Sequence, residues 1–184
     1  SISKSIITEL PLSIPSCSQT QPDQSLMEKK SPLKRHPALR HLSHDHHHGL
    51  LLSWKIRQGF KLDVDADRMK TYCEWFWENY LQAHFEEEEK LIFPILAQDD
   101  PMIKQALSEH KRLRKLFSNW GNPEKTLGQI EEELEKHIRF EERVLFPEVQ
   151  KTATAEQLEA IAAHGDREKF KENEADLFWI QPSV

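Results

Sequence analysis

Two segments of the chain repeat one pattern of histidine and glutamate, and their first residues are 53 positions apart. The first segment reads HFEEEEKLIFP from His84, and the second reads HIRFEERVLFP from His137. Residues at i and i+4 of an α-helix lie on one face, about 6 Å apart. His84 with Glu88, and His137 with Glu141, can therefore bind one metal site, because imidazole and carboxylate groups are both metal ligands.

Both motifs continue the apolar face of a predicted helix. Phe76 and Tyr80 precede His84 at intervals of four residues, and Ile130 and Leu134 precede the second motif. The histidine and the i+4 glutamate of each motif should therefore point into the core. A single HxxxE pattern would more simply be a solvated ion pair. Four such groups in a core indicate a metal site, because a buried carboxylate is costly unless it is paired with a cation.

Two further histidines lie on the apolar faces of other predicted helices. His110 is in register with the apolar residues of its helix. In the run HDHHH at 44–48, His46 shares a face with neighbouring leucines, but apolar residues at favourable offsets leave His47 as an alternative. We expect one or two histidines of this run to face inward and the others to lie at the surface.

The apolar spacing and the positions of proline and glycine predict an all-α fold with four long helices and a short fifth one. The first helix covers about 38–59 with Gly59 as its C-cap, and the second follows Asp63 or Asp65 and ends near Phe93. The third helix starts at Asp100-Pro101. The fourth starts at Asn122-Pro123 and ends near Phe146-Pro147, and the fifth follows Thr154. Short connections between long helices predict an up-down-up-down four-helix bundle. The residues predicted to face inward on the third helix are Ile103, Ala106, Leu107, Leu113 and Phe117.

In such a bundle, the four histidines are predicted to lie at one height. His46 and His110 lie eight or nine residues from the starts of their helices, and His84 and His137 lie nine residues from the ends of theirs. At about 1.5 Å per residue, each is roughly 12–14 Å from the same end of the bundle. The sequence therefore predicts one metal site to which all four helices contribute.

The chain divides into three predicted parts. Residues 1–36, rich in Ser, Pro and Gln, are an N-terminal arm or leader, and residues 37–148 are the bundle. Residues 149–184 contain the short C-terminal helix and a tail whose apolar cluster at 177–180 should pack on the bundle.

The composition limits the partners and the compartment. The formal net charge of -6 argues against binding to nucleic acid or to an anionic membrane surface, both of which favour a basic face. The sequence contains no run of about eighteen apolar residues, the length that a membrane-spanning helix needs. Cys17 and Cys73 cannot form a disulfide framework and do not have zinc-site spacing, which favours a reducing cytoplasm.

Other acids and histidines are predicted to lie outside the set of ligands. Glu89 and Glu142, each next to an inward glutamate, should face solvent or support the ligands. His36 and His164 have no partner at helical spacing and should be exposed.

The doubled HxxxEExxxFP motif and the two single histidines resemble the hemerythrin-like (HHE cation-binding) family over residues 38–148. The resemblance implies a non-haem di-iron centre, with the two glutamates bridging two Fe ions and an oxo bridge as an option. Mixed imidazole and carboxylate ligands suit iron independently, with Mn or Zn as alternatives. The implied ligands are His46, His84, Glu88, His110, His137 and Glu141.

The pattern differs at two positions from that of the oxygen-carrying hemerythrins and looks closer to bacterial and iron–sulfur-cluster repair members. Those carriers have a second histidine on the third helix, four residues after the first, where this chain has Arg114. On the fourth helix they have a carboxylate five residues after the histidine, whereas Glu141 lies four residues after His137. The predicted function is a protein that binds, senses or reacts with a diatomic ligand such as oxygen or nitric oxide. Alternatives are a di-iron enzyme (oxidase, peroxidase or cluster repair), iron storage, or a metal-free structural bundle.

Overall fold

A computed structural model describes residues 34–181 of the chain, and every regular element within this range is helical. The predicted N-terminal arm lies outside the described residues apart from 34–36. The helices are named α1 (Arg40–Lys61), α2 (66–92), α3 (Pro101–Ser118), α4 (123–152) and α5 (Ala155–His164). A 3-10 turn, Pro37–Leu39, precedes α1, and another, Phe93–Ile95, follows α2.

Two of these helices change their winding along their length. α2 consists of Ala66–Phe76, a π-helical turn at Trp77–Leu81, the α-helical Gln82–Glu87 and a second π-helical turn at Glu88–Ile92. α4 consists of Pro123–Phe140, a π-helical turn at Glu141–Leu145 and the α-helical Phe146–Thr152.

The predicted helix starts are confirmed by their caps. Side chains accept hydrogen bonds from backbone N–H groups at the starts of α2 to α5, which satisfies donors that have no partner inside a helix. The capping residues are Asp65, Asp100, Asn122 and Thr154. At α5 the cap is reciprocal, because the Gln157 side chain also accepts from the Thr154 backbone.

Two predicted helix ends are wrong. α1 continues past Gly59 to Lys61, and the chain turns at Asp63, which has a φ of 54°. Gly59 lies inside the helix, and the Met69 sulfur occupies the space that a Cβ on Gly59 would take. α4 does not end near Phe146 but continues to Thr152. Pro147 is tolerated there because it lies in the first turn after the π-helical segment, where a missing N–H costs little.

The core consists of two apolar clusters, and the polar residues of the predicted site lie between them along each of α1 to α4. In α1, for example, Leu42 belongs to one cluster and Leu52 to the other, with His46 between them. The prediction that Leu107 faces inward is wrong, since its side chain is 41% exposed. The buried face of α3 passes through Ala106 and His110, and Leu107 lies outside that stripe.

The helices pack so that α4 contacts α1, α2 and α3 along its length. The short helix α5 packs on the Pro37–Leu39 turn and on the end of α2, and its Ile161 is fully buried. After α5, the non-helical tail (165–181) returns along α1 and α2. Phe178 of the tail is buried in the core, whereas Ile180 is 54% exposed. None of the helices between residues 34 and 181 combines the length and apolar character needed to cross a lipid bilayer.

We predict that Gly59→Ala destabilises the protein by about 1–3 kcal/mol, because an added methyl group would overlap Met69 in a packed core. Gly128→Ala is the matched control. A Cβ at this helical position meets no atom within 4 Å, so the change should stabilise by about 0.5–1 kcal/mol. Urea unfolding followed by circular dichroism measures both values, and equal effects of the two substitutions would contradict the packing at Gly59.

Candidate metal centre

The six residues predicted as ligands lie together in the interior of the protein. They form two overlapping groups, in each of which one nitrogen or oxygen atom per residue lies within 4.8 Å of the others. All six side chains are buried, and Glu88 and Glu141 belong to both groups. The groups are His46, His84, Glu88 and Glu141, and Glu88, His110, His137 and Glu141.

The Glu88 carboxylate lies between three imidazoles. Its Oε1 is 3.3 Å from Nε2 of His46 and 3.1 Å from Nε2 of His84. Its Oε2 is 3.3 Å from Nε2 of His110. One oxygen therefore faces His46 and His84 and the other faces His110, so this carboxylate could contact two ions at once.

The Glu141 carboxylate has a similar position on α4. Its Oε2 is 3.1 Å from Nε2 of His46 and 3.3 Å from Nε2 of His137. Its Oε1 faces Nε2 of His110 at 3.8 Å. Glu141 thus also contacts histidines of both groups.

The atoms that face each other at the centre are close but have no hydrogen-bond partner among the described residues. These eight atoms are the Nε2 atoms of His46, His84, His110 and His137 and both carboxylate oxygens of Glu88 and Glu141. Their N···O distances suit ion pairs, whereas their angles do not suit hydrogen bonds, as expected when lone pairs are directed at common points between them. Buried polar atoms without partners are costly, and nitrogen and carboxylate oxygen are metal ligands. The residues present therefore fit metal ions.

The outer nitrogen of each imidazole is hydrogen-bonded to an acid on another helix. The acid of α1 contacts the histidine of α2, the acid of α2 that of α3, the acid of α3 that of α4, and the acid of α4 that of α1. Carboxylates in this position fix the ring orientation of a ligating histidine and leave Nε2 free to bind the metal. The pairs are Asp45–His84 at 3.0 Å, Glu89–His110 at 2.8 Å, Glu109–His137 at 2.7 Å and Glu142–His46 at 2.7 Å. We call them the four orienting acids.

Each orienting acid is the sequence neighbour of a predicted metal ligand, and this pairing is visible in the sequence. Each directly precedes or follows an inward ligand, as Asp45-His46 and Glu88-Glu89 illustrate. Neighbouring residues on a helix are about 100° apart, so the acid beside an inward ligand points toward the adjacent helix. The sequence pattern predicts a supporting role for Glu89 and Glu142, and the structure adds Asp45 and Glu109 to this set.

Glu88 and Glu141 each also begin a π-helical turn. The N–H of Phe93 bonds to the Glu88 carbonyl, and the N–H of Phe146 bonds to the Glu141 carbonyl, in both cases five residues back. Such wide turns are rare and occur often at functional sites. The HxxxEExxxFP repeat thus encodes a repeated backbone distortion as well as repeated side chains.

The other histidines of the run at 44–48 lie outside the centre. His46 faces inward, His47 is exposed, and His44 pairs with His48 at 3.2 Å at the surface. The expectation that His36 is exposed is wrong, because its half-buried ring accepts the Ala38 N–H and caps the first turn.

The charges at the centre stabilise one another in the metal-free protein. Burial lowers the pKa of His84, but the Glu88 charge and the hydrogen bond to Asp45 outweigh it and raise this pKa to about 9. Burial also opposes the charge on Glu88, yet the surrounding imidazoles hold its pKa well below the usual value. The hydrogen bond from His110 lowers the pKa of Glu89 to about 2. A proton on the His84 imidazole thus supplies positive charge where a cation would.

Comparison of the chain with protein-family models, with curated proteins and with solved structures finds no match in any of the three. The function must therefore be inferred from the geometry of the centre itself.

The raised His84 pKa predicts how the stability of the metal-free protein depends on pH. The unfolded pKa is about 6.5 and the folded one about 9. The proton on His84 therefore contributes stability that is fully present below about pH 6.5 and is lost as the pH rises through about 9. We expect the metal-free protein to unfold at a lower temperature at pH 9 than at pH 6.5, measured by circular dichroism.

The control for this prediction is the His84→Gln variant, in which the decrease between these two pH values should be smaller. A metal-free protein that is more stable at pH 9 than at pH 6.5 would contradict the proposed protonation of the centre.

Proposed function

We propose that this chain is a hemerythrin-like non-haem di-iron protein that binds or senses a small diatomic ligand such as oxygen or nitric oxide. In this proposal, α1 to α4 are the four antiparallel helices of an up-down-up-down bundle, and each contributes ligands at the same height. His46 and His84 hold one ion, His110 and His137 hold the other, and Glu88 and Glu141 bridge them.

The observation that carries the proposal is a set of eight buried atoms at the meeting point of four helices, none of which has a hydrogen-bond partner among residues 34–181. The four orienting acids support it, because a hydrogen bond on the outer nitrogen serves a histidine that binds metal through Nε2. A purely structural cluster of imidazoles and carboxylates would instead direct its hydrogen bonds at one another.

The ligand set suits iron better than it suits calcium, magnesium or a structural zinc ion. Structural zinc sites are usually tetrahedral and bound by thiolate and imidazole, and Ca²⁺ and Mg²⁺ prefer oxygen ligands. Mixed imidazole and carboxylate ligands suit iron, with Mn and Zn as alternatives. Two imidazoles and two shared carboxylates provide four groups to each ion, which leaves an open position at an ion that takes more than four ligands. Bound iron would supply the redox-active position at which a diatomic molecule binds.

The space beside His84 suits a very small ligand. A pocket of about 10 Å³ lies against this histidine, and its other walls are formed by Asp45, His48, Phe76, Tyr80, Leu81 and Phe170. Such a volume holds about one water-sized molecule. In our proposal a diatomic molecule passes through this space to reach the ion held by His84, and a larger substrate does not fit in it.

A second candidate, a di-iron enzyme, is favoured by a larger surface cleft of about 750 Å³. This cleft shares Asp45, Tyr80 and Phe170 with the small pocket, so a larger substrate could bind next to the centre. Sustained turnover of peroxide by the iron-loaded protein would favour this candidate, and a stable complex with nitric oxide would favour the first.

The test of metal binding compares adjacent and equivalent histidines. We expect the wild-type protein to bind about two iron ions per chain, measured by elemental analysis after anaerobic loading. His84→Ala and His137→Ala should each reduce the iron content to about one ion, because each removes a ligand from one ion only. His46→Ala should lose iron in the same way, whereas the control His47→Ala, at the exposed neighbouring position, should retain both ions. Equal iron loss in His46→Ala and His47→Ala would contradict the assignment.

The test of diatomic binding uses the wall of the small pocket. Phe170→Ala should increase the association rate of nitric oxide with the reduced iron-loaded protein several-fold, because it removes a side chain that covers the space beside His84. The control is Phe60→Ala, which removes an exposed phenylalanine and should leave the rate unchanged. Stopped-flow absorption measures both rates. No absorption change with nitric oxide in any variant would contradict the proposed ligand class.

A further inference from the structure

The tail that follows α5 contributes a charged side chain to the metal centre. The guanidinium of Arg167 contacts Oδ2 of Asp45 and lies 2.9 Å from Oε2 of Glu87. Asp45 is the orienting acid that holds Nδ1 of His84 at 3.0 Å. Arg167 is therefore two contacts away from one of the histidines that meet at the centre.

The route of the tail brings this arginine to the centre. Gly165 ends α5 so close to the ring of His41 that a Cβ there would lie 2.8 Å from Nδ1. His41 in turn contacts Oε1 of Glu87 at 2.5 Å. The buried Glu87 carboxylate thus has a histidine on one oxygen and Arg167 on the other.

The tail is also fixed on the far side of Arg167. Lys55 of α1 is 5% exposed, and its Nζ contacts Glu172 of the tail at 2.5 Å and the Tyr72 hydroxyl at 2.7 Å. The same ammonium group lies 4.0 Å from the centre of the Trp179 ring. A lysine ammonium is buried at little cost only when it has such partners. These contacts hold the segment that contains Arg167 against α1 and α2.

The four orienting acids differ in what holds them from outside. Glu89 is held by Arg114 of α3 at 2.6 Å, and Glu142 by Arg35, before α1, at 2.9 Å. Glu109 accepts a hydrogen bond from Gln105 at 2.9 Å. Asp45 is instead held by the guanidinium of Arg167, which belongs to the tail and not to the helices that carry the six ligands.

We propose that Arg167 is a positioning residue for the ion held by His46 and His84, and that it acts on His84 through Asp45. The inference rests on the proposed metal binding. The tail then sets the affinity of one ion of the pair and leaves the other ion, at His110 and His137, unaffected.

The physical reason lies in the geometry of the guanidinium group. Its planar fork can contact two carboxylates at once and holds them in fixed orientations. Asp45 is 29% exposed, so without Arg167 its side chain could rotate toward water and release Nδ1 of His84. The imidazole would then lose its fixed orientation, and the ion would lose a well-placed ligand.

The experiment measures Co²⁺ affinity by visible absorption in two single-site backgrounds. His137→Ala leaves the ion held by His46 and His84, and His84→Ala leaves the other. Adding Arg167→Ala should weaken Co²⁺ binding about 10–100-fold in the His137→Ala background, the usual effect of losing an outer partner of a ligand. In the His84→Ala background, Arg167→Ala should leave Co²⁺ affinity unchanged.

Two control variants separate this effect from general loosening of the protein. Arg114→Ala should show the opposite pattern and weaken Co²⁺ binding in the His84→Ala background, because Arg114 holds the acid beside His110. Arg68→Ala breaks the exposed Arg68–Asp176 pair, which also ties the tail to α2, and should affect neither background.

A double-mutant cycle tests whether Arg167 acts through Asp45. Once Asp45→Asn is present, Arg167→Ala should cause little additional loss of Co²⁺ affinity, because both changes remove the same support. Arg167→Lys keeps the positive charge but lacks the planar guanidinium, so it should recover part of the Co²⁺ affinity. The same variant replaces Arg167→Ala in the test if thermal unfolding shows that Arg167→Ala does not fold.

The outcomes distinguish this inference from the proposed function. If the wild-type protein binds no Co²⁺ and no iron, the metal site itself is refuted. If the wild-type protein binds two ions but Arg167→Ala and Arg167→Lys weaken both single-site backgrounds equally, or neither, then Arg167 is not a positioning residue for one ion.

Discussion

The structure depends on one electrostatic constraint, which is that two carboxylates and four imidazoles are withdrawn from water at one height in the protein. Glu88 and Glu141 are fully buried, and neither has a hydrogen-bond partner for its oxygens among the described residues. Such groups are stable in a protein interior only when positive charge lies next to them. In the metal-free protein, imidazole protons can supply that charge, and cations at the same points would supply it with better geometry.

Groups of alternating charge follow one another outward from the centre. The four orienting acids surround the imidazoles, and outside three of them lie guanidinium groups of Arg35, Arg114 and Arg167. This alternation keeps each carboxylate next to a positive or proton-donating group. It also connects the centre to segments on both sides of the four long helices, since Arg35 precedes α1 and Arg167 follows α5.

The apolar core positions this polar layer. One cluster fills the interior on one side of the ligands and a second fills it on the other, so the helices are fixed above and below the centre. Phe85 stacks on His110 at 3.8 Å between ring centres, and Phe146 stacks on His46 at 5.2 Å. Two of the four rings are thus held by packing on their faces, and all four are held by hydrogen bonds on their outer nitrogens, which limits the freedom of the Nε2 atoms.

Local sequence patterns predict the helical class, the starts of the helices and the inward residues of α2 and α4. Each of these follows from local rules, namely helical periodicity, side chains that cap N-termini, and the i to i+4 spacing of His84 with Glu88. The choice between His46 and His47 was open in the sequence, because both positions had apolar neighbours at suitable offsets. Packing decided it, since only one face of α1 can point at the other three helices.

Tertiary structure alone decided the features that join residues distant in the chain. Pro147 predicts a helix end, but α4 continues to Thr152 after the π-helical turn at Glu141–Leu145. Asp45 and Glu109 gained their partners only when neighbouring helices came together, and Arg167 reached Asp45 across 122 residues of sequence. Periodicity reports which face of a helix is buried, whereas the partner of a side chain at the edge of that face is fixed by the neighbouring helix.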